Sequence, residues 1–439
     1  IRFVAALSLA LLTSCVFHGG DSPSVVGHCS EDVFAPAAAA PASDVILDWN
    51  NQMIGTIRAT GGPPTPPTRS FAMMHLAMYE AVNSVERRYS PYRVLLTAQA
   101  DTSCVAAAAS AAHRVLTTLY PSRQAVYDSA LANSLASVPD GTGESNGVAL
   151  GIAAAGAIIA LRSNDGSDDN TPYVLGTTPG DWRPTPPDFT APFTPNWGKQ
   201  TPWAITSGAQ FRPPLPTALT MPAYAAALNE VKDLGDRNSA MRTPEQTRIA
   251  YFWANDVDDT YKPPGHLNYI TQVIATNRHL SLYDKARLFA LLNIALADAA
   301  ITAWDCKYVT PMDLWRPVTA IREADTDGNA ATVADPNWLP LNAFTPPFPS
   351  YTSGHATFAG AHAEILTLFF GTDNIPVTIG TDEPLYTGGP RTYTSMLAMA
   401  QENGRSRIYL GIHYQFDADF GVQSGQQVAR YVFAHFLTS

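Results

Sequence analysis

The segment that ends in Ser353-Gly354-His355 has the residue types of an anion-binding helix start. Several prolines precede it and cannot continue a helix, whereas the residues from Ala356 onward have a helical pattern, so Ser353 is predicted near the N-cap. Free backbone N–H groups at such a helix end favour an anion. Gly354 lets the backbone approach a ligand closely, and His355 can exchange a proton near neutral pH. Alone, this tripeptide is more typical of a capping serine beside an incidental histidine.

A second group of residues further along the chain could complete the same site. Arg407 offers a planar fork that matches an oxyanion. His413 is followed by Asp417 at i+4, where a carboxylate can hold one ring nitrogen and leave the other facing a ligand. Gly411 is predicted to break the helix so that Arg407 and His413 converge. The alternative is a surface arginine followed by a helix-capping pair. Taken with Ser353-Gly354-His355, the group predicts a pocket for a tetrahedral oxyanion such as phosphate or vanadate.

Two upstream cations could form the opposite wall of this pocket. Lys307 supplies a compact charge and Arg316 a bidentate one, and together they would balance an anion of high charge. The formal net charge of the chain is −11, which argues against a nucleic-acid partner because phosphate contacts need a basic surface. Any anion site must therefore be a local cluster of cations.

These three groups together resemble the superfamily of vanadium-dependent haloperoxidases and type 2 phosphatidic acid phosphatases. Its signature is a Lys, six residues and Arg-Pro, then Pro-Ser-Gly-His, then Ser-Arg, five residues, His, three residues and Asp. The last block matches in full from Ser406 to Asp417, and the segment 346–358 resembles the chloroperoxidase branch especially closely. The similarity is strong over residues 281–430 and looser upstream.

The sequence departs from that signature at two places. Thr352 replaces the proline before Ser-Gly-His, which removes no functional group. Eight residues rather than six separate Lys307 from Arg316, which would rotate the two side chains apart on a continuous helix. We expect Pro311 to loop out the extra pair. If it does not, Lys307 is not the ligand-binding lysine.

The resemblance implies an enzyme that uses vanadate, hydrogen peroxide and chloride or bromide to form hypohalous acid, which then reacts with an organic acceptor. His413 would coordinate vanadium, with Asp417 behind it, and His355 would be the acid–base group. Trp304 and Phe348 would flank the site of halide oxidation. The residues implied to bind the non-protein oxygens of vanadate are Lys307, Arg316, Ser353, Gly354 and Arg407.

Two other functions fit the same residues. Vanadate and the transition state of phosphate hydrolysis share one geometry, so an acid phosphatase acting on phosphomonoesters or lipid phosphates is the main alternative. In that case His413 would attack phosphorus and His355 would protonate the leaving group. A protein that binds the anion without catalysis is the third possibility, because a fold alone does not fix function. The pair Trp304 and Phe348 favours the peroxidase, although either aromatic could be a core residue.

The elements that must position these residues are predicted to be helices. Strand signals are scarce, so we predict an all-α fold of two halves that each resemble a four-helix bundle, residues 43–220 and the catalytic residues 221–439. Residues 164–220 show no sustained hydrophobic periodicity and are predicted to be a long surface excursion, a loop segment that connects the two halves. The apolar run 148–161 is interpreted as a core helix. Helical periodicity covers residues 45–57, 71–81, 105–120, 125–136, 147–162, 224–234, 244–253, 267–275, 282–304 and 356–366.

The beginning of the chain indicates export. An apolar run over residues 3–12 fits a signal peptide of residues 1–15, and the residues up to Cys15 resemble a lipobox, whose cysteine is lipidated. Residues 16–42 are interpreted as a linker. We therefore expect an extracellular, periplasmic or lipid-anchored protein that meets a membrane only through Cys15. Of the remaining cysteines, Cys29, Cys104 and Cys306, two could form one disulfide.

Two further residues carry predictions. Asp298 lies in an apolar helix and must be paired if it is buried, either with a cation of the site or as a cap of a neighbouring helix. His266 follows Pro-Pro-Gly and is interpreted as an exposed loop residue, with the entrance to the site as the alternative location.

Overall fold

The computed structural model describes residues 44–309 and 311–439. Within them the chain is mostly helical, which confirms the all-α prediction. The predicted signal peptide of residues 1–15, the lipobox at Cys15 and the linker of residues 16–42 lie outside the described residues and stay predictions.

The described residues form thirteen α-helices and one short hairpin. Side chains of Asp44, Ser103, Thr243, Ser281 and Ser353 accept backbone N–H groups at helix starts, as N-caps do. The helices are α1 (Val45–Thr60), α2 (Thr65–Glu86), α3 (Cys104–Leu119), α4 (Gln124–Leu135), α5 (Thr142–Leu161), α6 (Pro222–Gly235), α7 (Pro244–Phe252), α8 (Lys262–Asn277), α9 (Leu282–Tyr308), α10 (Pro317–Arg322), α11 (Gly354–Phe370), α12 (Met396–Tyr409) and α13 (Gln415–His435). The strands are β1 (Asn374–Ile379) and β2 (Arg391–Ser395).

Helix α9 runs through the centre of the molecule. It packs against α2 on one side and against α11 and α13 on the other, so its apolar residues are buried all round. By length and composition α5 and α9 could each cross a membrane. In α9, however, 94% of the 18-residue apolar stretch that would cross it is buried inside the protein. The division into halves at residues 220 and 221 stays a prediction, because α9 contacts helices of both.

Helix α5 is a core helix on one face only. Leu150, Ala154 and Ile158 pack inward, whereas Ile152 is 49% exposed. Only 33% of the 18-residue apolar stretch of α5 is buried. The interpretation of residues 148–161 as a core helix is therefore correct for the face that packs on α3. Glycines on this face let the two helices approach each other closely.

The packing of α11 on α13 depends on glycine, which gives a first prediction. A Cβ atom on Gly425 would lie 2.0 Å from the carbonyl oxygen of Thr357 and 2.7 Å from the backbone nitrogen of Ala361, so Gly425→Ala must push the helices apart. We expect a loss of about 1–3 kcal/mol in the free energy of unfolding. Gly156→Ala on the exposed face of α5, where no atom lies within 4 Å of the new Cβ, is the matched control. It should leave stability unchanged or raise it by about 0.5–1 kcal/mol. Equal denaturation curves for the two variants would contradict this packing.

Residues 164–220 are irregular, as predicted, and many of them are exposed, but buried residues anchor the segment to the rest of the protein. Trp182 and Trp203 are fully buried, and the backbone N–H of Trp182 donates to the carbonyl of Asp313 at 2.8 Å. The N–H of Phe193 donates to the carbonyl of Pro347 at 3.0 Å, so the segment folds back over the C-terminal half. The prediction of a surface segment did not include these buried parts, because hydrophobic periodicity does not detect isolated tryptophans whose large apolar area must be buried.

Asp298 is buried, as predicted, and its partners belong to this same segment. The carboxylate accepts the backbone N–H groups of Trp203, Ala204 and Ile205 at 2.7–2.9 Å. Burial raises the pKa of Asp298 to about 6, although these hydrogen bonds oppose the shift. Asp298 therefore fixes the irregular segment onto α9, and both suggested roles, pairing a cation of the site and capping a helix, are wrong.

The antiparallel hairpin of β1 and β2 was not predicted. Strand β1 alternates between exposed and buried residues, but Pro376 interrupts the short pattern. The residues that follow β1 contact α8, where His266 lies in the first turns. The ring of His266 is buried, with Nδ1 accepting from Asn255 at 3.0 Å and Nε2 donating to the carbonyl of Gly380 at 3.0 Å. The interpretation of His266 as an exposed loop residue was wrong, because the prolines before it begin a helix rather than a loop.

Candidate oxyanion site

One buried pocket brings together the residues predicted from the three sequence segments. The last turn of α9 supplies Lys307, the residue before α10 is Arg316, and the end of α12 supplies Arg407. The start of α11 supplies His355, and the turn between α12 and α13 supplies His413. All five side chains are at most 7% exposed. The pocket thus collects three cations and two histidines away from bulk water.

His413 is held by a carboxylate on the next helix. Gly411 has a φ of +79° and lies between the end of α12 and the start of α13, which confirms the predicted break. Nδ1 of His413 lies 2.9 Å from Oδ2 of Asp417, and that carboxylate also accepts the hydroxyl of Ser350 and the N–H of Tyr414. Because a carboxylate accepts, we infer that the ring proton is on Nδ1 and the lone pair on Nε2.

The electrostatics of the pocket keep the His413 ring neutral. Burial lowers its pKa far below the usual value, and the nearby cations, Arg316 first, lower it further. Burial also raises the pKa of Asp417, against the hydrogen bonds from Ser350 and Tyr414. A neutral imidazole with a free lone pair is the form that can coordinate a metal or attack an electrophile.

Two guanidinium groups retain N–H donors for an anion. Arg316 donates to the carbonyl of Phe348 and that of Ile412, each at 2.7 Å, and its Nη1 lies 3.0 Å from Nε2 of His413. Arg407 forms an ion pair with Asp256. Buried Nη2 of Arg316 and buried Nε of Arg407 have no hydrogen-bond partner within residues 44–309 and 311–439. Unsatisfied buried donors on cations are costly unless a ligand accepts them, so this donor set fits an oxyanion such as vanadate.

Lys307 lies in the same wall despite the longer spacing. Helix α9 ends at Tyr308, so the additional residues fall in the connection to α10, and Lys307 stays in the last helical turn. Its Nζ donates to the carbonyls of Pro349, Ser350 and Thr352 at 2.8, 3.2 and 2.5 Å. An ammonium has three protons, so Lys307 in this arrangement stabilises the loop before α11. Whether it also binds an oxyanion directly stays a prediction.

Ser353, Gly354 and His355 occupy the start of α11. Ser353 is the N-cap, as predicted, and its Oγ accepts the N–H of Ala356 at 3.4 Å. Gly354 lines the cavity, where a Cβ atom would lie 3.2 Å from the ring of Trp304. Nε2 of His355 donates to the carbonyl of Ala254 at 2.9 Å, which leaves Nδ1 as the acceptor of the neutral ring. Burial, with Arg407 beside it, lowers the pKa of His355 to about 3.

Trp304 and Phe348 form the apolar side of the cavity. Their ring centroids are 5.0 Å apart, and both line a small cavity of about 10 Å³ together with His355, Arg407 and His413. The Phe348 ring lies between two cations, with Nζ of Lys307 and the guanidinium carbon of Arg316 each 4.8 Å from its centroid. The aromatic pair is thus part of the pocket and not only of the core.

Sequence reasoning missed two residues of the site. Asp256 lies in the loop after α7, and burial would raise its pKa, but Arg407 and His355 hold it below the usual value. Ser350 donates to Asp417 and lies 3.3 Å from Nδ1 of His413. Ser350 stands within the Pro-Pro-Phe-Pro-Ser segment and could have been suspected, whereas Asp256 lies outside the three groups of residues from which the site was predicted.

Several known proteins are similar to this chain. A family model described as the VCPO second helical-bundle domain matches residues 287–438. The vanadium chloroperoxidase of Curvularia inaequalis is 28% identical over 491 residues, which cover 86% of this chain and 79% of that protein. The crystal structure of the first bacterial vanadium-dependent iodoperoxidase has a TM-score of 0.79 and 26% identity, covering 92% of this chain and 100% of the other. A holo-type bacterial vanadium-dependent chloroperoxidase shares the fold, with a TM-score of 0.70, 18% identity and coverage of 91% and 98%.

The helical fold and the buried, cation-lined pocket define an enzyme class built around a tetrahedral oxyanion. Within that class, the chain is similar to the vanadium-dependent haloperoxidases, and these similarities support an oxidoreductase of the haloperoxidase type. Relatives of this kind imply a vanadate cofactor with hydrogen peroxide and a halide as substrates.

Proposed function

We propose that the protein catalyses the vanadate-dependent oxidation of chloride or bromide by hydrogen peroxide to hypohalous acid. The observation that carries the proposal is the lone pair on Nε2 of His413, held in a buried pocket beside the unsatisfied donors of Arg316 and Arg407. When bound, vanadate would supply a Lewis acid that activates peroxide without a change in its own oxidation state.

The residues present could hold vanadate on all sides. Nε2 of His413 would coordinate vanadium, which requires Arg316 to turn its Nη1 donor from that nitrogen to an oxygen. Arg407 and the backbone N–H groups at the start of α11, where Ser353 and Gly354 lie, would donate to further oxygens. The charge of Lys307 would contribute from the opposite wall.

His355 would move protons during the reaction. Its Nε2–H is fixed on the carbonyl of Ala254, so Nδ1 is the atom that can accept a proton from peroxide and return it to the departing oxygen. Burial and the neighbouring Arg407 lower the pKa of this ring to about 3. An anion bound beside it would raise the pKa toward neutrality, because negative charge favours the imidazolium.

The aromatic side of the pocket supports a halide substrate. Trp304 and Phe348 exclude water from the cavity, while Lys307 and Arg316 make its potential positive. A monovalent halide ion suits this apolar, positively charged cavity better than the organic ester group of a phosphatase substrate does. A phosphatase that uses His413 as nucleophile needs the same histidine and arginines but has no requirement for this aromatic pair.

One experiment separates these activities. Purified protein freed of vanadate is assayed with hydrogen peroxide and chloride, bromide or iodide, before and after vanadate is added, and in parallel for phosphate release from p-nitrophenyl phosphate. We expect oxidation of chloride or bromide only after loading. Phosphate release without halide oxidation under any loading would overturn the proposal, and oxidation of iodide alone would overturn its halide assignment.

Asp417 gives a second prediction. Asp417→Asn keeps the size of the side chain but weakens the acceptor that orients His413, so vanadate affinity should fall about 10- to 100-fold. The matched control is Asp419→Asn on the same helix, where the carboxylate is exposed and accepts from the side chain of Gln415. Vanadate affinity is read from the concentration that gives half-maximal halogenation. Equal affinities for the two variants would show that Asp417 does not position the ligand.

We also propose that the protein acts outside the cytoplasm. The apolar run of residues 3–12 supports export, and so does the disulfide formed by Cys104, since disulfides persist in oxidising compartments.

A further inference from the structure

A second and larger cavity adjoins the oxyanion pocket on its solvent side. It has a volume of about 300 Å³ and shares Asp256 with the inner cavity. Pro346 lines the inner cavity and Pro347 the outer one, so the two are continuous along one stretch of backbone. Exposed Asp188 and Asp258 form part of the outer lining. We call this outer cavity the vestibule, and any molecule that reaches the inner pocket from this side passes through it.

Five residues give the vestibule flat apolar faces. Pro186, Pro187 and Pro347 contribute rings without N–H donors, and Phe193 and Phe344 contribute aromatic faces. The carbonyl of Phe193 accepts Nε1 of Trp304 at 3.3 Å and the hydroxyl of Tyr308 at 2.9 Å, which ties the wall to α9. Rigid apolar faces of this kind suit a planar aromatic ring, and the volume is that of a small-molecule site.

The charge of the vestibule is negative at one point. Asp256 is neutralised by Arg407, and Asp258 by Nζ of Lys262 at 2.9 Å. Asp188 is exposed and makes no hydrogen bond or ion pair with any residue that the structure describes. One carboxylate without a counter-charge therefore faces a cavity whose other polar lining residues are three threonines and the paired Asp256, Asp258 and Lys262.

We propose that the vestibule binds the organic acceptor and selects planar aromatic compounds that carry an ammonium group over those that carry a carboxylate. The ring would pack on the proline and phenylalanine faces, with the ammonium toward Asp188. The inference rests on the proposed function, which supplies hypohalous acid from the inner pocket. In the transfer step the aromatic carbon bonds to the halogen and the oxygen–halogen bond breaks with its electron pair on oxygen. The ring proton then joins that oxygen, so the products are the halogenated arene and water.

The test is a competition between two phenols of similar shape and opposite charge. Tyramine and 4-hydroxyphenylacetate are mixed in equal amounts with the vanadate-loaded enzyme, peroxide and bromide, and the ratio of brominated products is measured by mass spectrometry. The same mixture treated with reagent hypobromous acid gives the intrinsic ratio. We expect the enzyme to shift the ratio about two- to five-fold toward tyramine, an effect that added salt should reduce.

Variants and a binding measurement make the result decisive. Asp188→Asn should return the ratio to that of the reagent, whereas Asp140→Asn, an exposed aspartate outside the vestibule lining, should keep the shift. Tyramine should also bind the vanadate-free protein in calorimetry, more tightly than 4-hydroxyphenylacetate does, and Asp188→Asn should remove the difference. Bromination at the reagent ratio would overturn the vestibule proposal and leave the proposed function intact. Absence of any bromination would overturn the proposed function, and calorimetry would then still decide whether the vestibule prefers the cation.

Discussion

His413→Ala is expected to abolish vanadate-dependent halide oxidation. The substitution removes the only atom that we assign to direct coordination of vanadium, Nε2, and leaves Asp417 without its partner. Removal of a residue that merely orients a ligand costs about 10- to 100-fold in affinity, so loss of the ligand itself should exceed about 100-fold. The measurement is bromination at increasing vanadate, with bound vanadium determined by elemental analysis after gel filtration.

A control histidine separates this effect from damage to the fold. His435 lies at the exposed end of α13, where its ring contacts the carbonyl and the ring of Tyr431, and His435→Ala should retain full activity. Thermal denaturation of both variants checks that the fold is intact. Retention of vanadium and activity by a folded His413→Ala protein would contradict the assigned role.

Arg316→Lys is expected to have the second-largest effect. Lysine keeps the positive charge but lacks the planar fork that bonds to Phe348, Ile412 and His413 and leaves Nη2 for a ligand. Hydrogen bonds to charged groups contribute about 1.5–3 kcal/mol each, so vanadate affinity should fall about 10- to 100-fold. Halogenation at saturating vanadate should fall less than the affinity does.

The matched control for this variant is Arg248→Lys. Arg248 is exposed and forms an ion pair with Glu245 on α7, so its replacement should change neither vanadate affinity nor turnover. If Arg316→Lys behaves like this control, charge alone holds the oxyanion and the orientation of the guanidinium is unimportant.

Local rules of chain geometry predicted part of the fold and of the site. The N-cap at Ser353, the helix that follows it and the break at Gly411 depend on residues next to each other in the sequence, and all three are confirmed. The all-α class follows from helical periodicity over most of the chain. These features need no knowledge of distant contacts, which is why the sequence alone was sufficient.

Other features depend on contacts between distant residues and could not be predicted in this way. Asp256 pairs with Arg407 across 151 positions of sequence, and no local pattern marks it. The irregular segment 164–220 is held by Asp298 and by buried tryptophans. Its lack of hydrophobic periodicity therefore did not mean that all of its residues are exposed. The spacing of Lys307 and Arg316 would place their side chains on different faces of a continuous helix. The structure resolves this conflict because α9 ends at Tyr308, between the two residues.

The most direct test of the proposed function is a vanadate titration of the metal-free protein, read by bromination and by bound vanadium in the same samples. We predict no bromination without vanadate, a rise that saturates at one vanadium per chain, and loss of both readouts in His413→Ala. Bromination that is independent of vanadate, or stoichiometric binding of vanadium that yields no oxidation of any halide, would contradict the proposal.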